Sequence, residues 1–306
     1  MQGIDEARAF YLQEGQKMIR EQFPAYESRI AVGLVGHGSE CFGFDDDISR
    51  DHDFEKGFCI WLTDEDDLEI GVELSRAYRA LCTEKTSPQS SMAERKLGVH
   101  RISDFYRRYT GASGAPESWQ QWLGLPSYAL AEAVNGQVWR DDLGQFSSIR
   151  EQIMFGMPED VRKKKLARYA VEMAQTGQYN YSRCLKHGEE GAAMLYCCDF
   201  VKAACEMIFL LNRVHMPYYK WCLRAMEKLE KLSAMKEALA FLLTAENDPK
   251  GQKIKAQVIE DVCAAVIGEL KAQNLSCGNW DYLEPHGFEI MERIENSHIR
   301  NLHIME

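Results

Sequence analysis

The sequence predicts an α+β chain: a small α/β sheet domain over residues 1–145, followed by an all-α helical bundle over 146–306. Three observations predict it. Short apolar runs at 30–35 and 58–62, set off by glycine and acidic segments, read as buried strands. Beyond about residue 150 such runs cease, and long helical patterns with few breakers take over. A chain of 306 residues with a hydrophobic fraction of 45% has the material for two cores.

In order, Ala9, Phe10, Leu12, Met18 and Ile19 share one face of a helix over 5–22. The run 30–35 is the first strand and 58–62 the second. Asp64 to Asp67 open a helix that runs to about Cys82, their charges suited to its N-terminal dipole. Pro88 and three serines make 83–91 a loop, and 97–102 is a third strand. The boundary falls between Gly136 and Met157. Helices then follow over 159–185, 190–213, 217–231, 233–245 and 250–273, broken at Pro217 and at the Glu246-Asn247-Asp248-Pro249 turn.

Charge and composition narrow the function classes. A net charge of −11 argues against a nucleic-acid partner held by general electrostatics, and the basic run Arg162-Lys163-Lys164-Lys165 reads as a solvated helix face. No apolar stretch is long enough to span a membrane, and the first residues lack a signal peptide's pattern, so a cytoplasmic chain is expected. The ten cysteines form no CxxC pair and read as reduced, buried small hydrophobes.

The chemistry concentrates in Gly36-His37-Gly38-Ser39 and in Ser49-Arg50-Asp51-His52-Asp53. In a strand, alternate side chains share a face, so Asp51 and Asp53 point the same way as paired hard oxygen ligands for Mg²⁺. Bare backbone N–H groups and the Ser39 hydroxyl suit phosphates. Asp45, Asp46 and Asp47 read as an exposed acidic loop. Arg50 and His52 face away from the aspartates, and His37 reads as a loop histidine in the glycine turn, with a phosphate contact as the alternative.

Gly38-Ser39, a spacer, then Asp51-His52-Asp53 resembles the nucleotidyltransferase superfamily. The wider phrase from Gly38 to Asp53, with Leu211-Asn212-Arg213 and Tyr218-Tyr219-Lys220-Trp221, looks like its DUF4037 branch, and the resemblance covers most of the chain. It implies a mixed sheet with helices, a two-ion Mg²⁺ site on Asp51 and Asp53, and an NTP, most simply ATP, whose triphosphate is held by Gly38 and Ser39. Lys220 opens a helix after Pro217 and is a further triphosphate ligand. The implied reaction moves AMP to a hydroxyl of a small-molecule acceptor, for instance an aminoglycoside-like antibiotic.

The superfamily's third acid has no match on the strand at 97–102; Glu94 and Asp104 flank it, and His100 is the alternative. That gap keeps open a second class, a nucleotide-binding or regulatory protein of the same fold without turnover. A phosphohydrolase built on His37, His52 and Asp53 would need helices where glycines 33, 36 and 38 point to strands. Arg183 and His187 are too close for a helical ribonuclease pair. Tyr179, Tyr181 and Tyr196 read as bundle core, and Trp221 as packing. The sequence leaves the acceptor, the preferred base and the oligomeric state open.

Overall fold

The computed structural model describes residues 3–46, 57–83 and 97–306. The chain forms two compact units, one of Met1–Gln121 with Ala129–Gly156, the other of Trp122–Tyr128 with Met157–Glu306. The architecture is α+β, with a small sheet and its helices first and a largely helical region after it.

The first unit opens with α1 (Gly3–Phe10), which passes through a π turn at Tyr11–Gly15 into α2 (Gln16–Gln22). A Cβ on Gly15 would run into the Phe58 ring, so glycine lets this helix press onto the start of the second strand. Along the chain there follow β1 (Ala31–Leu34), α3 (Ser39–Phe42), β2 (Cys59–Leu62), α4 (Asp64–Thr83), β3 (Gly98–Arg101), α5 (Ile102–Thr110), α6 (Trp119–Gly124) and α7 (Ser127–Val134), whose residues 122–124 and 127–128 count with the second unit, β4 (Gln137–Arg140) and α8 (Gln145–Phe155). The three strands and the helix at 64 stand where the apolar runs and the acidic N-terminus place them. The fourth strand is an addition.

The strand order is β3-β2-β1-β4. β1 is antiparallel to β2 and to β4, and β2 is parallel to β3, so the sheet is mixed. Alternation divides its faces. Ile30, Val32, Phe58, Ile60 and Leu62 pack against Tyr11, Met18 and Ile19 from the first helix and Ile70, Leu74 and Tyr78 from α4. Trp61, pointing the other way, stacks on Phe146 at 4.0 Å and meets Phe105 edge-on. β4 lies against β1 because Gly33 and Gly136 lack side chains: a Cβ on either would strike the opposite strand's backbone, at Gln137 and Leu34 respectively.

The second unit is helical: α9 (Glu159–Met173), a π segment (Ala174–Tyr181), α10 (Ser182–Lys186), α11 (Glu190–Leu211), α12 (Tyr219–Met226), α13 (Met235–Thr244), α14 (Pro249–Ala272), α15 (Leu283–Glu292) and α16 (Ser297–Arg300). Gly177 allows close approach in the π segment, where a Cβ would meet Phe200 and Ile259. Asp248 caps α14 by accepting from the Gly251 N–H at 2.6 Å, with Pro249 in the first turn, as that turn's composition anticipates.

Three expectations are corrected here. The basic run at 162–165 is not solvated. Arg162 and Lys164 are buried, and each of the four cations donates to backbone carbonyls elsewhere in its unit. Lys164 Nζ binds the carbonyls of His303, Ile304 and Glu306 at 2.8–3.0 Å, clamping the C-terminal tail. Tyr179 is exposed, its hydroxyl accepting from Arg183 at 3.0 Å, while Tyr181 is the fully buried one. All ten cysteines are free, but Cys277 is exposed and Cys82, Cys184 and Cys198 are half-buried.

The second unit also holds a partly neutralised acid–base pair. Glu206 on α11 titrates at about 7, pushed up by burial and only partly offset by Lys165 and a hydrogen bond from Ser127. Burial lowers Lys165 in turn, against the pull of Glu206.

Candidate functional site

Gly36-His37-Gly38-Ser39 leaves the C-terminal end of β1 and turns into α3. Gly36 (φ 118°) and Gly38 (φ 119°) both sit where a side chain is strained. At Gly36 a Cβ would also lie 2.7 Å from the Tyr109 hydroxyl. The turn is fastened from α7 and α5. Asn135, just past α7, accepts from the Gly36 N–H at 2.8 Å and donates to the Gly36 carbonyl at 2.7 Å. The Gly136 N–H bonds the Cys41 carbonyl at 2.8 Å, which ties α3 to the same corner. Tyr109 on α5 accepts from the His37 backbone N–H, and burial raises its pKa, with Glu132 adding to the rise. Glu132 on α7 meets the His37 ring, Nδ1 to Oε1 at 3.3 Å.

A second clamp holds the start of β2. The Tyr78 hydroxyl accepts from the Phe58 N–H at 3.0 Å and donates to the Phe58 carbonyl at 2.8 Å. Burial keeps this phenol's pKa far above its usual value. Asp51 and Asp53 lie outside the described residues, in the stretch joining α3 to this clamp.

Strand register fixes which groups share an end of the sheet. Gly33 pairs with Cys59, Cys59 with Gly98 and Leu34 with Gln137, so these residues line the end from which the Gly36–Ser39 turn leaves. Arg101 pairs with Leu62 at the opposite end. Asp104, in the first turn of α5, is therefore displaced towards that opposite end. Its two oxygens are taken by Arg101 and Arg107, each at 2.6 Å. His100 stands beside Trp61, also towards the far end. Glu94 lies outside the described residues, as do Ser49, Arg50 and His52.

Gly38 and Ser39 are half-buried in the turn as the sequence places them. Lys220 belongs to the second unit and is exposed in the first turn of α12, its ammonium 4.8 Å from the Trp221 ring centroid. Asp45 is not part of an exposed acidic loop: it is half-buried, and Oδ2 accepts from the Gly3 N–H at 2.7 Å. Asp46 is exposed, and Asp47 lies outside the described residues. Among the described residues no group of three His, Cys, Asp or Glu side chains is placed to hold a metal ion. No described helix is long and apolar enough to cross a membrane.

Sequence reasoning missed Asn135, Glu132, Tyr109 and Tyr78. Asn135 preceding Gly136 was its one visible mark, a pair that reads as a turn. Neither the curated proteins nor the solved structures contain a match to this chain. Residues 122–222 do match a family model, described as Domain of unknown function (DUF4037). That stretch contains Glu132, Asn135 and Lys220, while Gly38-Ser39 and Asp51-His52-Asp53 lie outside it.

Proposed function

We propose that the chain is a Mg²⁺-dependent nucleotidyltransferase that moves AMP from ATP to a hydroxyl of a small-molecule acceptor. One observation carries this reading: the glycine-serine turn leaves the end of β1 at the same end of the sheet where β2 begins. The connection between them contains Asp51 and Asp53, and both of its flanks are clamped, by Asn135 at Gly36 and by Tyr78 at Phe58. The mixed order β3-β2-β1-β4 supports it as well.

In this reading Asp51 and Asp53 would hold Mg²⁺, and their chemistry fits, since paired carboxylates are the hard oxygen donors that ion takes. Bound Mg²⁺ supplies charge neutralisation on the phosphates and acidifies the attacking hydroxyl. The backbone at Gly38 and the Ser39 hydroxyl would receive the triphosphate, held in place because Asn135 fixes the turn before substrate arrives. The net charge of −11 suits a cationic acceptor of the aminoglycoside kind. Pyrophosphate release from ATP, with Mg²⁺ and a panel of hydroxyl acceptors, tests the proposal. The absence of both pyrophosphate release and ATP binding would end it.

One observation favours a second reading, a nucleotide-binding protein without turnover: β3 carries no carboxylate. Measurable ATP binding with no pyrophosphate under any acceptor is its signature.

A further inference from the structure

The second unit encloses a lysine that the described residues do not satisfy. Lys255 on α14 is 0% exposed, and its ammonium carries three N–H donors. Among the described residues its one hydrogen-bonding partner is a thioether, Met194 Sδ on α11, at 3.7 Å. No described carboxylate pairs with it. Lys164, buried in the same unit, instead meets three carbonyls. The Tyr181 hydroxyl is a second orphan. Its side chain is fully buried, and the oxygen has no hydrogen-bond partner among the described residues.

Packing brings the two into one layer. α14 runs parallel to α11, with Gln252 bonded to Glu190, Lys255 to Met194 and Gln273 to the Leu211 carbonyl. The π segment and α10 turn back into α11 at His187 and Gly188, so they run antiparallel to it. A Cβ on Gly177 would meet both Phe200 and Ile259, which fixes that level. Tyr181 lies about one turn beyond Gly177 and Lys255 about one turn before Ile259. Both therefore come to the level of Cys197 on α11. Lys255 pulls the Cys197 thiol pKa down, and Cys197 pushes that of Tyr181 up, as expected of near neighbours.

Neither neighbour can supply the missing charge. Burial holds the Cys197 thiol up at about 11 and the Tyr181 phenol up at about 12, so both keep their protons at neutral pH. The Cys197 S–H is already given to the Leu242 carbonyl at 3.7 Å. The layer thus offers a cation and an O–H donor, with a thioether as the only described acceptor for the ammonium. A buried charge without a partner is costly, and leftover donors in a native interior call for a bound ion or water. We propose that Lys255 and Tyr181 bind a compact monovalent anion, of the size and charge of chloride, inside the helical unit. Lys255 supplies the opposite charge and Tyr181 the directional hydrogen bond. The enclosure of both side chains restricts the occupant to a small ion. The proposal does not depend on the transferase reading.

The test compares urea unfolding of the full chain in sodium chloride and in sodium gluconate, at equal ionic strength and pH. The wild-type midpoint is expected to rise with chloride, each tenfold increase above the dissociation constant lowering the unfolding constant about tenfold. Bromide should act as chloride does, and gluconate, too large to enter, should not. Lys255→Met should lose the chloride dependence. Tyr181→Phe keeps the ring and should need about tenfold more chloride for the same shift, having lost one hydrogen bond to the ion. A wild-type midpoint that is equal in chloride and gluconate overturns the proposal and leaves water as the occupant. Chloride stabilisation that persists undiminished in Lys255→Met overturns it too, as it does in Tyr181→Phe should the lysine variant fail to fold.

Discussion

Asn135 holds Gly36 by both of its backbone polar groups, Nδ2 to the carbonyl at 2.7 Å and Oδ1 to the amide at 2.8 Å. The two residues are far apart in sequence, so this single side chain sets where the glycine-serine turn stands relative to the α7–β4 corner. Asn135→Ala leaves a half-buried amide and carbonyl without protein partners. The expected result is about 1–3 kcal/mol lost in urea unfolding and about tenfold weaker ATP binding by calorimetry.

Gly36 has a second reason to be glycine. Its φ of 118° strains any side chain, and the Tyr109 hydroxyl fills the space a Cβ would need. Gly36→Ala should cost about 1–3 kcal/mol. In a Tyr109→Phe background the same substitution should cost less, because the steric part is gone while the backbone part remains. Denaturant midpoints of the four proteins in the cycle measure it.

Lys164 ties the C-terminus into the helical unit through three carbonyls. Lys164→Met leaves those carbonyls unmet, with an expected loss of about 2–4 kcal/mol. Amide exchange should speed up at Ile304 and Glu306 well before it does in α9. Equal protection in variant and wild type would show that the clamp contributes nothing.

Glu206 makes the second unit's stability depend on pH. Its folded pKa of about 7 lies above the unfolded carboxyl value of about 4.3. Between those values the folded chain keeps a proton that the unfolded chain has released, so stability falls as pH rises from about 4.3 to about 7. Glu206→Gln removes this contribution and flattens the slope across that window, measured as the urea midpoint at half-unit pH steps.

Local pattern carried what local physics decides. The runs ending at Val35 and Leu62 were legible because each is a short continuous apolar stretch set off by glycine and acidic residues, and both strands are buried throughout. The acid-rich start of α4 and the Asp248-Pro249 cap are likewise local. β4 was not legible: Gln137-Val138-Trp139-Arg140 is short, shows little alternation in burial, and is a strand because Gly33 and Gly136 let two backbones meet. The clamps on Gly36 and Phe58 were hidden for a related reason, since their partners arrive from α7 and α4 by tertiary packing. The basic run misled because charge spacing along α9 says nothing about the tail carbonyls that Lys164 finds. Gly38 and Ser39 were legible as a turn from composition alone, while the Glu132 and Tyr109 contacts that orient it were not.

The most direct measurement is Mg²⁺-dependent pyrophosphate release from ATP by wild type, Asp51→Asn and Asp53→Asn, each checked for an unchanged circular dichroism spectrum. The account predicts release by the wild type and a loss of at least about 10²-fold in each variant, with the fold retained. Turnover that persists at the wild-type rate in both variants would contradict it.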